Sequence, residues 1–198
     1  MITTFATWIM RLTLTIVKRW LLEILYGKFK TFMSTKGTST LSNKFNFKIV
    51  NKDPKTWDKR YLSLAREVST WSKDPSTQCG AVAIGSKGQV LAQGYNGFPR
   101  GIEDLQDRYD DKTRKYELVV HAEMNVIYNA TYNGVCLNGA TLYVHGLPVC
   151  SDCAKGVIQV GIKKVVMPSQ EIPEHWEKSW QKTKEMFNEA GIKWEFCS

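Results

Sequence analysis

Histidine is scarce in this chain, with three among 198 residues, and the five cysteines are an odd number. A chain of this length can bury a real core without disulfide staples, so the thiols are expected to be free, in a reducing compartment such as the cytoplasm. Long apolar runs are also missing. The most apolar stretch, residues 1–32, is cut by Arg11, Lys18 and Arg19 into pieces shorter than the roughly 18 residues of a membrane span. It has neither the charged start nor the small-residue cleavage site of a secretory signal. No arginine-rich stripe is present. The formal net charge is +8, half of it within residues 1–32. The mildly basic remainder suits a phosphorylated small molecule and asks for neither nucleic acid nor a membrane.

Residues 1–32 read as a basic apolar leader, or as a mis-called extension ahead of a natural start at Met33, and residues 33–52 as a polar linker. From there the chain is patterned. Asp53 and Pro54 suit the N-cap and first position of a helix. Trp57, Tyr61, Leu64, Val68 and Trp71 recur at helical spacing, and that stripe is expected to cover one side of a sheet. Two strands over 79–85 and 89–95 form a hairpin through Ser86-Lys87-Gly88. Antiparallel pairing then brings the flanking loops, 72–78 and 96–101, to one end of the sheet. The stretch from there to Val120 has no clear period and is expected to be a functional or effector loop.

After Val120 the pattern alternates: helix 121–132, strand 140–145, helix 151–161, strand 163–167, helix 174–190, strand 192–196. Such alternation implies right-handed crossovers and parallel strands. The fold class expected is α/β, a five-stranded mixed sheet with helices on both faces. Trp176, Trp180 and Phe187 share one face of the last helix, which Gly191 ends.

Two short motifs, each opening a predicted helix, carry the chemistry: His121-Ala122-Glu123 and Cys150-Ser151-Asp152-Cys153. One imidazole and two thiolates are three protein ligands for a tetrahedral zinc whose fourth position stays open to water. A helix N-terminus lowers thiol pKa and so favours metal-ready thiolates. Glu123, two residues from the histidine, points to another helix face and reads as a proton carrier. A metal whose charge two thiolates nearly cancel acidifies water less, so a neighbouring base is needed. Either motif alone is weak, because C-x-x-C also serves redox sites and structural zinc. His145 is the rival ligand, but it sits at a strand end, and His175 reads as surface.

These residues resemble the zinc deaminase signature, H-x-E followed by P-C-x-x-C. More narrowly, SKDPSTQCG (72–80), GYNGFPRG (94–101), HAEMN (121–125) and CSDCAK (150–155) resemble the deoxycytidylate (dCMP) deaminases of the cytidine deaminase superfamily. The likeness covers roughly residues 57–168. It departs at Pro148, one place early, and at Cys79, where valine is expected.

The resemblance implies a three-layer cytidine-deaminase-like fold and assigns residues 53–198 to a CMP/dCMP-type deaminase domain. It implies Zn2+ on His121, Cys150 and Cys153, with Glu123 as the catalytic proton shuttle in the hydrolysis of dCMP to dUMP and ammonia, a supply of thymidylate precursor. It makes Asn96, Lys73, Ser76 and Arg100 candidates for the substrate's sugar and phosphate, and places Tyr95 and Gly97 in a nucleotide or effector loop. It further implies a homo-hexamer controlled by dCTP and dTTP, with Mg2+ accompanying a triphosphate effector. Three other readings stay open on the residues: turnover of dCTP or of both nucleotides, a catalytically silent zinc-containing nucleotide sensor, and a metal-free C-x-x-C redox protein.

Overall fold

The computed structural model describes residues 54–198; the leader, the linker and the Asp53 cap lie outside the described residues. Eleven elements follow in order. They are helix α1 (Pro54–Ser69), strands β1 (Gly80–Ile84) and β2 (Val90–Tyr95), and helices α2 (Gln106–Asp110), α3 (Lys112–Leu118) and α4 (Ala122–Tyr132). Then come β3 (Thr141–His145), α5 (Ser151–Gln159), β4 (Lys164–Pro168), α6 (Glu174–Glu189) and β5 (Lys193–Cys197).

The sheet order is β2-β1-β3-β4-β5. β1 runs antiparallel to both neighbours, while β3, β4 and β5 are parallel. Alternation along the strands divides the core by face, because successive side chains point to opposite sides. Val82, Ile84, Tyr143 and Val166 pack under Leu62, Ala65 and Val68 of α1. Ala81, Ala83, Leu142, Val144, Val165 and Met167 pack on the other side, against α4, α5 and α6. The expected α/β architecture of five mixed strands between helical layers is therefore present.

Two local readings are corrected. The α1 stripe expected to be core is not buried as a set: Val68 is, but Leu64 and Trp71 are exposed. The face that meets the sheet is Leu62, Ala65 and Val68, whose small central residue lets the helix lie close. At Gly80 an added Cβ would stand 2.3 Å from the Ala65 carbonyl oxygen, so β1 has no side chain where α1 crosses it. The expected stripe meets this face only in part, through Val68 and through Tyr61 packed on Tyr143, since size and helical spacing alone cannot say which side a close crossing admits. The stretch before Val120, expected to be loop, contains α2 and α3. The Asp111 carboxylate accepts from the Thr113 and Arg114 backbone N–H groups and so caps α3. Both helices are too short to show a period.

Candidate active site

The site lies at the sheet end where Gly80 pairs with both Tyr95 and His145. For β3 this is the carboxyl end, where open α/β sheets take their ligands. Three loops and the starts of two helices meet there.

Helix α4 brings His121 and Glu123 to this end, and the reason is local. An added Cβ on Gly94 would come within 2.5 Å of the Val126 backbone nitrogen, so α4 lies directly on β2. Asn125 Nδ2 donates to the Tyr95 carbonyl and Asn129 Nδ2 to that of Gln93, each at 2.7 Å, fixing the helix along the strand. Gly97 and Val120 exchange backbone hydrogen bonds of 3.1 and 2.9 Å, which ties the loop after β2 to the residue before His121.

His121 is the N-cap residue of α4 and Cys150 that of α5, with Cys153 in the first turn of α5. His121 Nδ1 stands 3.3 Å from Cys150 Sγ and 3.4 Å from Cys153 Sγ. The three ligand atoms all lie within 4.8 Å of one another. Zinc bonds of about 2.0 Å to nitrogen and 2.3 Å to sulfur in a tetrahedron put ligand atoms about 3.5 Å apart, so this donor set fits the ion with little rearrangement. Among the described residues it is the one such cluster. Cys79 is outside it, with its thiol pushed up to about 11 by burial. His145 is outside it too.

Electrostatics mark the same spot. The Cys150 thiol is pulled down to about 4, first by the hydrogen bond from Cys153 and then, against the cost of burial, by His121. Cys153 is raised, by that hydrogen bond with Cys150, by burial and by the Glu123 charge. His121 is lifted to about 9, chiefly through its bond to Cys150 and despite burial. Glu123 is buried and rises to about 7, mainly from desolvation, with His121 opposing. Two sulfurs, an imidazole and a buried carboxylate thus share one small space, a donor set suited to a cation.

A cavity of about 530 Å³ opens over the cluster, of the size that holds a small ligand. His121, Glu123 and Cys150 line it together with Asp74, Thr77, Asn96 and Lys115 and with Pro148 and Trp176. Trp176 is held there by donating Nε1 to the Pro148 carbonyl at 2.8 Å. Exposed His175 stands at the rim.

The remaining residues singled out from sequence fall into two groups. Asn96 is buried in the wall, and Ser76 lies just behind it, bonded to Asp74 and Lys115. Lys73 instead pairs with Asp104 at 2.7 Å on the surface. Arg100 bonds Asn129 Oδ1 and lies over the Tyr132 ring, away from the cavity lining. Tyr95 is half-exposed beside Trp71. Sequence reading missed Asp74 and Lys115 as a buried pair, and Trp176 as cavity wall. The Asp111 cap was the available clue to a helix carrying Lys115.

Fold and site together define an α/β hydrolytic enzyme built around a zinc-type position with a carboxylate beside it. Residues 55–169 match the family model described as the cytidine and deoxycytidylate deaminase zinc-binding region. A deaminase of Aliivibrio fischeri, itself uncharacterized, is 39% identical over 69% of this chain and 90% of its own. Human deoxycytidylate deaminase is 33% identical over 69% of this chain and 76% of its own, and a Drosophila melanogaster protein named probable deoxycytidylate deaminase is 34% identical over 70% of each. A cyanophage S-TIM5 dCMP deaminase shares the fold, with TM-score 0.58, 24% identity and coverage of 73% of this chain and 98% of that one. The chain belongs to the zinc-binding cytidine and deoxycytidylate deaminase family.

Proposed function

We propose that this protein hydrolyses dCMP to dUMP and ammonia, using a zinc ion held by His121, Cys150 and Cys153. The observation that carries this is Glu123, buried and lining the cavity together with the ligand residues His121 and Cys150. A purely structural zinc has no use for such a carboxylate. The named deoxycytidylate deaminases among the relatives support dCMP as substrate, and the cyanophage fold relative was solved with dCMP and dUMP bound.

When bound, zinc supplies the Lewis acidity that makes water a nucleophile at neutral pH. The chain's residues do the rest. Glu123 takes the proton from the attacking water and delivers it to ring N3 as C4 becomes tetrahedral. It then carries the second proton of that water, from the new C4 hydroxyl, to the amino group, which leaves as ammonia while the C4 carbonyl forms. Trp176 and Pro148 line the cavity as well.

Asn96 suits the sugar end. Its Nδ2 is spent on the Thr77 carbonyl at 2.8 Å and Asp74 Oδ2 at 3.4 Å, and its Oδ1 accepts from the Cys79 backbone N–H at 2.7 Å. A second Oδ1 lone pair remains for a hydroxyl donor. Ser76, Lys73 and Arg100 stay proposals for the phosphate side, with Tyr95 and Gly97 for an effector loop. Lys73 and Arg100 would first have to leave their present pairings.

Five free cysteines agree with a cytoplasmic setting. Thymidylate supply, a hexameric assembly, control by dCTP and dTTP, and Mg2+ with a triphosphate effector complete the proposal. Turnover of dCMP, dCTP and deoxycytidine by the zinc-loaded protein, with and without dCTP and dTTP, tests it. Preference for dCMP is expected, and activity on deoxycytidine alone would overturn the nucleotide assignment.

A further inference from the structure

The wall of the cavity contains an ion pair that the mechanism above does not use. Asp74 and Lys115 are 2% and 7% exposed and lie 41 residues apart in sequence. Lys115 Nζ donates to Asp74 Oδ1 at 2.8 Å and to Ser76 Oγ at 2.6 Å, and stands 2.7 Å from Asp74 Oδ2. Asp74 Oδ1 also accepts from Ser76 N at 2.9 Å, Ser76 Oγ at 2.9 Å and Thr77 N at 3.1 Å. Its Oδ2 faces Asn96 Nδ2 at 3.4 Å.

A buried ion pair is a poor route to stability, because desolvation of both charges consumes most of the attraction. As a phosphate receptor it is equally poor, since the ammonium is already neutralised by Asp74. What the pair does hold is the turn that seats one amide. The Cys79 backbone N–H and the Thr77 carbonyl fix which end of Asn96 is oxygen and which is nitrogen, and Asp74 Oδ1, by accepting from the Ser76 and Thr77 N–H groups, holds the turn that presents that carbonyl. Lys115 keeps the Asp74 carboxylate charged and fixed.

Resting on the reading of the site as a dCMP deaminase, we propose that Lys115 and Asp74 are positioning residues that hold Asn96 with its oxygen available to the cavity, and so make the enzyme select a nucleotide whose sugar carries a hydroxyl donor. Without Lys115, the carboxylate is free to protonate or turn, the 74–77 turn that presents the Thr77 carbonyl loosens, and Asn96 loses the fixed place from which its oxygen meets the sugar.

The test compares dCMP with 2′,3′-dideoxycytidine monophosphate, which has no sugar hydroxyl, in the zinc-loaded wild type, K115M, K115R and D74N. The wild type is expected to favour dCMP by about tenfold or more in kcat/KM, the scale of one well-made hydrogen bond to substrate. K115M and D74N should raise KM for dCMP and bring the ratio to within about twofold, leaving zinc content and kcat on the dideoxy substrate near wild type. K115R should restore part of the ratio. A K115M or D74N enzyme that discriminates as well as the wild type overturns the proposal, and D74N, which is nearly isosteric, serves if K115M does not fold. A wild type that turns over both nucleotides equally also overturns it, there being no hydroxyl contact to orient. A wild type inactive on dCMP overturns instead the functional reading on which this rests.

Discussion

On the proposed function, a single oxygen at Glu123 separates a zinc protein from a zinc enzyme in this pocket. Glu123→Gln keeps the size and burial of the side chain and removes its ability to exchange a proton. Ammonia release from dCMP should fall by 10²-fold to 10⁴-fold, on the order of general acid–base contributions, while zinc measured by elemental analysis stays near one per chain. Cys153→Ala should do the converse and lose the metal, because imidazole and one thiolate leave the ion underligated. Activity retained by Glu123→Gln would remove the role given to the carboxylate. A metal-free but active Cys153→Ala protein would remove the role given to zinc. The two substitutions also separate the remaining readings, since a redox protein needs the cysteine pair and has no need of Glu123.

Among the elements, α4 is the one on which the site depends most. It supplies His121 and Glu123, and its position is set by the missing side chain at Gly94, where the approach is to backbone atoms that cannot swing aside. Gly94→Ala should therefore lift the helix off β2, stretch the Asn125 and Asn129 bonds to the strand, and destabilise the fold by at least about 2 kcal/mol, the range of overpacking in a tight core. A urea midpoint shifted to match, together with weakened zinc retention, is the expected result; an unchanged midpoint would show that the helix can yield there. The α1 helix teaches the opposite lesson. Its aromatic residues stand out in the sequence, yet Ala65, opposite Gly80, is what meets the sheet.

At the scale of the whole molecule, the buried pair of Asp74 and Lys115 joins the segment bearing α2 and α3 to the loop before β1, and its charge gives stability a pH dependence. Burial by itself would raise Asp74, but Lys115, the Ser76 and Thr77 amides and the Ser76 hydroxyl outweigh it and hold the carboxyl below its ordinary value of 3.8. A carboxyl depressed in the folded state stabilises fully above that ordinary value, and the contribution is lost as pH falls from there through the folded pKa. Unfolding free energy measured by denaturant should thus drop more steeply below about pH 4 in the wild type than in Asp74→Asn. Parallel acid limbs for the two proteins would show that Asp74 carries no such charge effect.

The order and type of the main elements followed from local pattern, since strand alternation and helical spacing record which side of each segment faces a core. Only one or two residues at each end were misplaced, and α2 and α3, shorter than a readable period, were missed. That His121, Cys150 and Cys153 would come together, with Glu123 near them, was legible for a similar reason: each motif holds its groups within one helix turn, and the chemistry allows few residue types. Juxtapositions across the chain were left to the tertiary structure. It placed Lys115 against Asp74, turned Trp176 toward the cavity, and carried Lys73 and Arg100 to pairings outside it. A sequence states what a residue can bond. Which of several suitable partners it meets depends on how closely the helices settle on the sheet, and here two glycines with no side chain to hold them apart set that distance.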